Sequence, residues 1–184
     1  MSQLGIVKYS YLTYFSQPKS DRPIYKHLHD HPVRNIVELG LGDGVRAQRI
    51  IEMAVSMQPE AKVRYTGVDL FEARPAEKPG MSLKLAYKTL KQLPIQVQLI
   101  PGDPFTALAR TANNLTGTDL LVISADQDPE LMARAWVLVP RMLHEGTFVF
   151  VERAVKGQTR FDLLARAEID ALSGAQKRSY RAAA

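Results

Sequence analysis

Five acids in this chain could do chemistry together: Glu38, Asp69, Asp103, Asp126 and Glu152, each at or just beyond the end of a short apolar run. The first stands two positions before Gly40, in a turn that also holds Leu41, Gly42 and Gly44. Glycines in a strand-to-helix turn let the backbone come close to a ligand and adopt conformations that a side chain would forbid. Backbone N–H groups at such a turn can face an anion or a carboxylate. A dinucleotide fingerprint would need Gly or Ala at position 45, where this chain has Val45. Asp69 lies 29 positions after the first glycine, where an acid can accept hydrogen bonds from both hydroxyls of a ribose. Gly102, Asp103 and Pro104 form a third element, in which Asp103 is also a favoured helix cap with proline just after it. With no cysteine in the chain, thiol nucleophiles, disulfides and Cys-based metal sites are excluded, so the chemistry falls to oxygen and nitrogen groups or to a bound cofactor.

The elements that must position these acids show in an alternation of period. Short runs rich in Val, Ile and Leu predict strands at 34–39, 62–70, 96–100, 119–124 and 146–152. Segments of helical spacing predict helices at 45–57, 82–93, 104–115, 129–143 and 160–172. Strands alternating with helices predict an α/β domain with a doubly wound, mostly parallel sheet and helices on both faces. Ligands then belong at the carboxyl ends of the strands, where the five acids fall.

This arrangement resembles the class I S-adenosylmethionine-dependent methyltransferases, whose first motif reads acid-x-Gly-x-Gly-x-Gly at the end of the first strand. The resemblance implies a Rossmann-like methyltransferase fold and S-adenosylmethionine as cofactor. Glu38 would bind the ammonium group of the cofactor, and Gly40, Leu41, Gly42 and Gly44 would shape the pocket for its methionine part. Asp69 would hold the ribose, Leu70 or Phe71 would lie on the adenine, and Gly102, Asp103 and Pro104 would border it. Asp126, in the loop after the fourth strand, would take the proton from an acceptor, an unidentified small molecule or protein side chain. That loop lacks the Asp/Asn-Pro-Pro-Tyr/Phe signature of nucleic-acid amino methyltransferases, which counts against a nucleic-acid base as acceptor. Catechol-type relatives hold a divalent ion with acids at the positions of Asp126 and Glu152 and a following Asn. Here Arg153 stands in place of that Asn, and a guanidinium works against a cation, so no metal site is expected.

The resemblance covers 34–152, leaving 1–33 as an N-terminal extension that could cover the substrate and 34–184 as the cofactor-binding domain. Tyr11 and Tyr14 in the extension could line the acceptor site. The family fold ends in an antiparallel hairpin, for which the remaining residues leave little room. The full hairpin is therefore expected to be missing, with 6–15 as an added strand or a second subunit of a homodimer over the exposed edge. His27, His29 and His31 precede the first strand, at the end of the sheet opposite the pocket, and read as a histidine-rich loop. Trp136 reads as core.

The length of 184 residues fits one domain. No apolar run reaches the roughly 20 residues of a membrane span, nor does the start look like a secretory leader, so a cytoplasmic protein is expected. Most of the net charge of +5 falls after residue 152. A basic tail could meet a partner, and a solvated helix face explains it equally well. Two rivals stay open beside the enzyme: a non-catalytic protein that binds S-adenosylmethionine or S-adenosylhomocysteine and contacts a partner through that tail, and a nicotinamide-dependent oxidoreductase, which Val45 disfavours.

Overall fold

In the computed structural model, which describes residues 3–78, 80–155 and 157–182, the chain folds around one six-stranded sheet. Its strands are β1 (Asn35–Leu39), β2 (Arg64–Asp69), β3 (Gln96–Pro101), β4 (Thr118–Ile123), β5 (Leu143–Val155) and β6 (Gln158–Leu163). The spatial order is β3-β2-β1-β4-β5-β6, parallel throughout except for the antiparallel β6. The helices are α1 (Gln3–Ser10), α2 (Arg22–Asp30), α3 (Val45–Met57), α4 (Leu83–Leu90), α5 (Pro104–Thr111), α6 (Pro129–Ala135) and α7 (Arg166–Ala182).

Side-chain alternation along the strands divides the core in two. Ile36, Tyr65, Leu120, Val122, Phe150 and Phe161 pack with α2, α3 and α4 on one face. Val37, Leu39, Val68, Leu121, Ile123 and Val149 pack with α5, α6 and α7 on the other. Burial on both faces explains why β1 and β4 read as mainly apolar runs rather than alternating ones, with Glu38 a buried acid within β1. The chain turns back from β1 across the switch between β1 and β4, so the turn at 40–44 opens on the carboxyl edge of the sheet.

Four expectations about the elements need correction. The segment 160–172 is not one helix: Gly157 adopts φ 76°, the chain reverses, and Arg160 and Phe161 pair with Arg153 and Glu152 in an antiparallel ladder. A single strand β6 thus stands where the family fold has a hairpin. Residues 6–15 add no strand, because α1 runs into a π-helical turn at Tyr11–Phe15. The helix expected at 129–143 ends at Ala135, and Pro140 falls in a 3-10 turn, Val139–Arg141, before β5 begins. His27 and His29 lie on α2 rather than in a loop, and His27 stacks on His31 at a centroid distance of 4.1 Å and meets Phe148 edge-on. Trp136 is 7% exposed, as expected of core. Of the basic residues expected to form a tail, Lys156 and the side chains of Lys177, Arg178 and Arg181 lie outside the described residues. Among the described residues no helix is long and apolar enough to cross a membrane.

Leu120 sits fully buried on central strand β4. Leu120→Ala should lower unfolding free energy by about 2–5 kcal/mol, measured by urea denaturation with an unchanged slope, through the lost transfer energy and the cavity left behind.

Candidate functional site

The carboxyl edge gathers the glycine turn, Asp69, the loop after β4 and the start of α5. Gly40, Gly42 and Gly44 have φ of 91°, 61° and 74°, conformations that side chains rarely adopt. At Gly40 space is also short: a Cβ would come within 2.4 Å of Gln127 Nε2 and 2.8 Å of Asp126 Oδ1, so the loop after β4 lies directly on the turn.

Asp69, 3% exposed, organises this edge. Its Oδ2 accepts the backbone N–H of Leu41 at 2.7 Å and of Gly42 at 3.1 Å. Its Oδ1 accepts the N–H of Phe71 at 2.9 Å. The Arg74 guanidinium then closes on both oxygens, with Nε 2.6 Å from Oδ1 and Nη2 on Oδ2. The other end of that guanidinium donates to Asp126 Oδ2 at 2.6 Å, and Gln127 Nε2 donates to Asp126 Oδ1 at 2.7 Å. Burial raises the Asp126 carboxyl, but the hydrogen bond and charge of Arg74 outweigh it and hold the group below its usual range.

Glu38 points from β1 toward α3 and is fully buried. Arg46 Nε donates to it at 2.6 Å and Arg46 Nη2 reaches Gly40 O at 2.8 Å. The Tyr65 hydroxyl donates to the other oxygen of Glu38. Burial pushes the Glu38 carboxyl up, while Arg46 and Tyr65 pull it back. A buried carboxylate is tolerable here because it is paired and hydrogen-bonded. Around Arg46 stand two further acids, Asp21 and Glu152. Asp21 is 2% exposed, with Ser20 and Tyr25 hydroxyls donating to it at 3.2 and 3.3 Å, and burial raises its pKa. Glu152 accepts from Ser124 Oγ and the N–H of Ala125, both at 3.1 Å, and so anchors the loop that carries Asp126.

Asp103 caps α5 by accepting the N–H of Thr106 at 2.9 Å, and Asp128 caps α6 through the N–H groups of Glu130 and Leu131. Leu70, Asp103, Pro104, Asp126, Gln127 and Leu131 line a cavity of about 220 Å³, with Arg74 and Lys78 on its wall. Larger or comparable recesses open elsewhere, one of about 260 Å³ at the amino ends of β1–β3. That recess is bordered by amides and hydroxyls with Arg64 as its one charged lining residue, so the converging carboxylates mark the carboxyl edge as the site.

The structure thus brings Gly40, Leu41, Gly42, Gly44, Asp69 and Asp126 together, with Leu70, Gly102, Asp103 and Pro104 beside them and Glu38 beneath the turn. Tyr11 and Tyr14 stay 52% and 60% exposed. Sequence reasoning missed Arg46, Tyr65 and Arg74. Arg46 had a signal, since a cation in the first turn of a helix opposes the helix dipole and needs a carboxylate nearby. Arg74 had none, lying in irregular chain after β2. Among the described residues no group of three or more His, Asp or Glu is arranged to hold a metal ion.

The purine end of S-adenosylmethionine fits this edge: the cavity is small but walled by apolar Leu70, Pro104 and Leu131, and Asp103 offers an acceptor at its rim. The sign of the charge fits as well, since the N–H groups of Leu41 and Gly42 are already given to Asp69 and the turn offers no cradle for a pyrophosphate.

No family model and no curated protein matches the chain. Solved structures do. A Staphylococcus aureus structure named as a caffeoyl-CoA O-methyltransferase is 13% identical with a TM-score of 0.53, over 98% of this chain and 81% of that one. A TehB-like S-adenosylmethionine-dependent methyltransferase from Corynebacterium glutamicum is 10% identical with a TM-score of 0.52, over 94% and 80%. The MycE methyltransferase of the mycinamycin pathway, solved with Mg, S-adenosylhomocysteine and mycinamycin VI, is 17% identical with a TM-score of 0.52, over 79% of this chain. The chain spans only 38% of the length of MycE. These likenesses establish the Rossmann-like fold of the class I S-adenosylmethionine-dependent methyltransferases for this chain.

Arg46→Met strands Glu38 as a buried charge and should cost about 3–5 kcal/mol of unfolding free energy, whereas the double variant with Glu38→Leu should recover a large part of it. Denaturant melts of the three proteins check this. At Asp103, burial raises the carboxyl but the hydrogen bonds from Thr106 prevail and its pKa is lowered. A lowered folded pKa gives stability that is present above the unfolded value of 3.8 and is lost as pH falls through the folded one. Asp103→Ala should therefore destabilise by about 1 kcal/mol at neutral pH, with the gap to wild type closing at pH values below 3.8.

Proposed function

We propose that the chain is an S-adenosylmethionine-dependent methyltransferase acting on an unidentified small molecule or protein side chain. The observation that carries this is the donation of the Leu41 and Gly42 N–H groups to Asp69. With those groups spent on a carboxylate, the turn has no pair of N–H groups to give a pyrophosphate, which suits a nucleoside bearing a positive charge rather than a dinucleotide. The neighbouring methyltransferase structures add support at the level of the fold.

In this account Asp69 holds the ribose hydroxyls, Leu70 and Pro104 flank the adenine, and Gly102 with Asp103 borders its edge. Gly40, Leu41, Gly42 and Gly44 line the methionine part, and Glu38 acts from beneath the turn, where its charge is shared with Arg46. The cofactor supplies a methyl group already activated by a positively charged sulfur. The chain's own task is to orient the acceptor and remove its proton, and Asp126, 29% exposed at the rim, is the proposed base. One observation favours a second reading, a binding protein without transferase activity: Asp126 is paired with Arg74, and a carboxylate held by a guanidinium is a poor base.

Calorimetric titration with S-adenosylmethionine, S-adenosylhomocysteine and NAD tests the account. The first two should bind with micromolar affinity and NAD should not, and Asp69→Asn, checked for native circular dichroism, should lose binding by at least about tenfold, the worth of one charge-assisted hydrogen bond. Binding of NAD alone would revive the oxidoreductase. Asp126→Asn should retain cofactor affinity; saturable binding with no acceptor in a metabolite and peptide screen would favour the second reading.

A further inference from the structure

Arg74 is held unusually firmly for a side chain on irregular backbone. Its side chain is 8% exposed, its Nε and Nη2 face both oxygens of Asp69, and its Nη1 lies 2.6 Å from Asp126 Oδ2. The stem crosses Gly80, where a Cβ would come within 2.7 Å of Arg74 Cδ, so no larger residue fits there without displacing it. Two neighbours fasten the same stretch. Lys78 Nζ donates to the Asp126 carbonyl at 2.9 Å, and the N–H of Met81 donates to Gly42 O at 2.9 Å.

Counting donors on Asp69 shows the consequence. Leu41, Gly42 and Phe71 each give a backbone N–H, and Arg74 adds two more donors. A carboxylate offers about four lone-pair sites. Five donors already fill those sites, so two ribose hydroxyls could be accepted only in exchange for two donors now present. The backbone donors belong to the glycine turn and to the chain leaving β2, and cannot leave without undoing them. Arg74 is a side chain and can. The cavity beside it is about 220 Å³, below the roughly 300–1,000 Å³ of ordinary ligand pockets, and Arg74 and Lys78 form part of its wall. Room exists for a purine while the acid that would hold the attached ribose is taken.

We propose that Arg74 is an internal competitor of the cofactor: it fills the ribose-binding capacity of Asp69 in the resting protein, and nucleoside binding requires it to swing away. Resting on the cofactor assignment above, this inference adds that one movement does two things. Arg74 bridges Asp69 and Asp126, so its departure opens the ribose site and releases the Asp126 carboxylate together. A free base then coincides with a loaded site, and the resting protein keeps both acids neutralised. The equilibrium between the two placements lowers the apparent affinity for any ligand that needs Asp69, in proportion to the fraction of protein in which Arg74 has moved.

The test compares wild type with Arg74→Met, which keeps the stem across Gly80, and Arg74→Ala, each first shown to melt cooperatively without ligand. Calorimetry with S-adenosylhomocysteine reads the competition, and adenine serves as the probe that lacks the ribose. Both variants should bind S-adenosylhomocysteine at least about tenfold more tightly than wild type, while adenine affinity changes less than about twofold. Equal or weaker binding of S-adenosylhomocysteine by both variants, with wild type binding well, would overturn the competitor role and leave the cofactor assignment standing. An equal gain for adenine would also overturn it, because Arg74 would then be blocking the cavity rather than the acid. No binding by any of the three proteins would overturn this inference and the cofactor assignment together.

Discussion

The carboxylate of Asp69 is the point on which the carboxyl edge of this sheet depends. It reaches back from the end of β2 to the N–H groups of Leu41 and Gly42, and so fixes the turn after β1 to the neighbouring strand. The same group receives the N–H of Phe71 and so shapes the chain leaving β2. Both oxygens of this nearly buried carboxylate are engaged by donors from three segments of chain, and its charge bears on what the edge can receive. Backbone N–H groups at a glycine turn would ordinarily draw anions. Here those of Leu41 and Gly42 are engaged from within by Asp69, and Arg74 in turn pairs that carboxylate.

Two arginines balance the acids, and they are placed differently. Arg46 is built into α3 and locked between Glu38 and Gly40 O, with Phe161 beneath its guanidinium at 5.0 Å. It holds the turn to the helix and has little freedom to leave. Arg74 sits on irregular chain, and its partners lie on two separate strand ends. A pair on regular elements serves the scaffold, while one on a loop can be exchanged, because loops carry the low-stability end of the native ensemble. This contrast separates the Glu38 side of the edge, which is structure, from the Asp69–Asp126 side, where an exchange of partners has chemical consequences.

The parallel part of the fold was legible because its signals are local. Apolar runs at β1 and β4 are buried on both faces, Pro104 and Pro129 follow Asp103 and Asp128 at true helix caps, and the positive φ at Gly40, Gly42 and Gly44 is what their type suggested. The errors fell where two signals competed. Phe161 and Leu163 support an alternating period as well as a helical one, and the reversal at Gly157 decides for the strand. Pro140 inside an apolar stretch ended α6 earlier than hydrophobic spacing implied. At the site, residue types showed which positions would converge, but not who would hold them. The pairings of Arg74 with Asp126 and of Glu38 with Tyr65 bring together elements whose approach only the folded sheet determines.

The most direct test of the central claim, that the glycine turn and the Asp69 end of β2 form a nucleoside site, is a ¹⁵N NMR titration with S-adenosylhomocysteine that follows glycine amides. Gly40, Gly42, Gly44 and Gly102 lie at the carboxyl edge, and Gly117 and Gly146 lie at the amino ends of β4 and β5. The account predicts saturable shifts at the first four and none at the last two. Unmoved amides at the carboxyl edge, or shifts confined to Gly117 and Gly146, would contradict it.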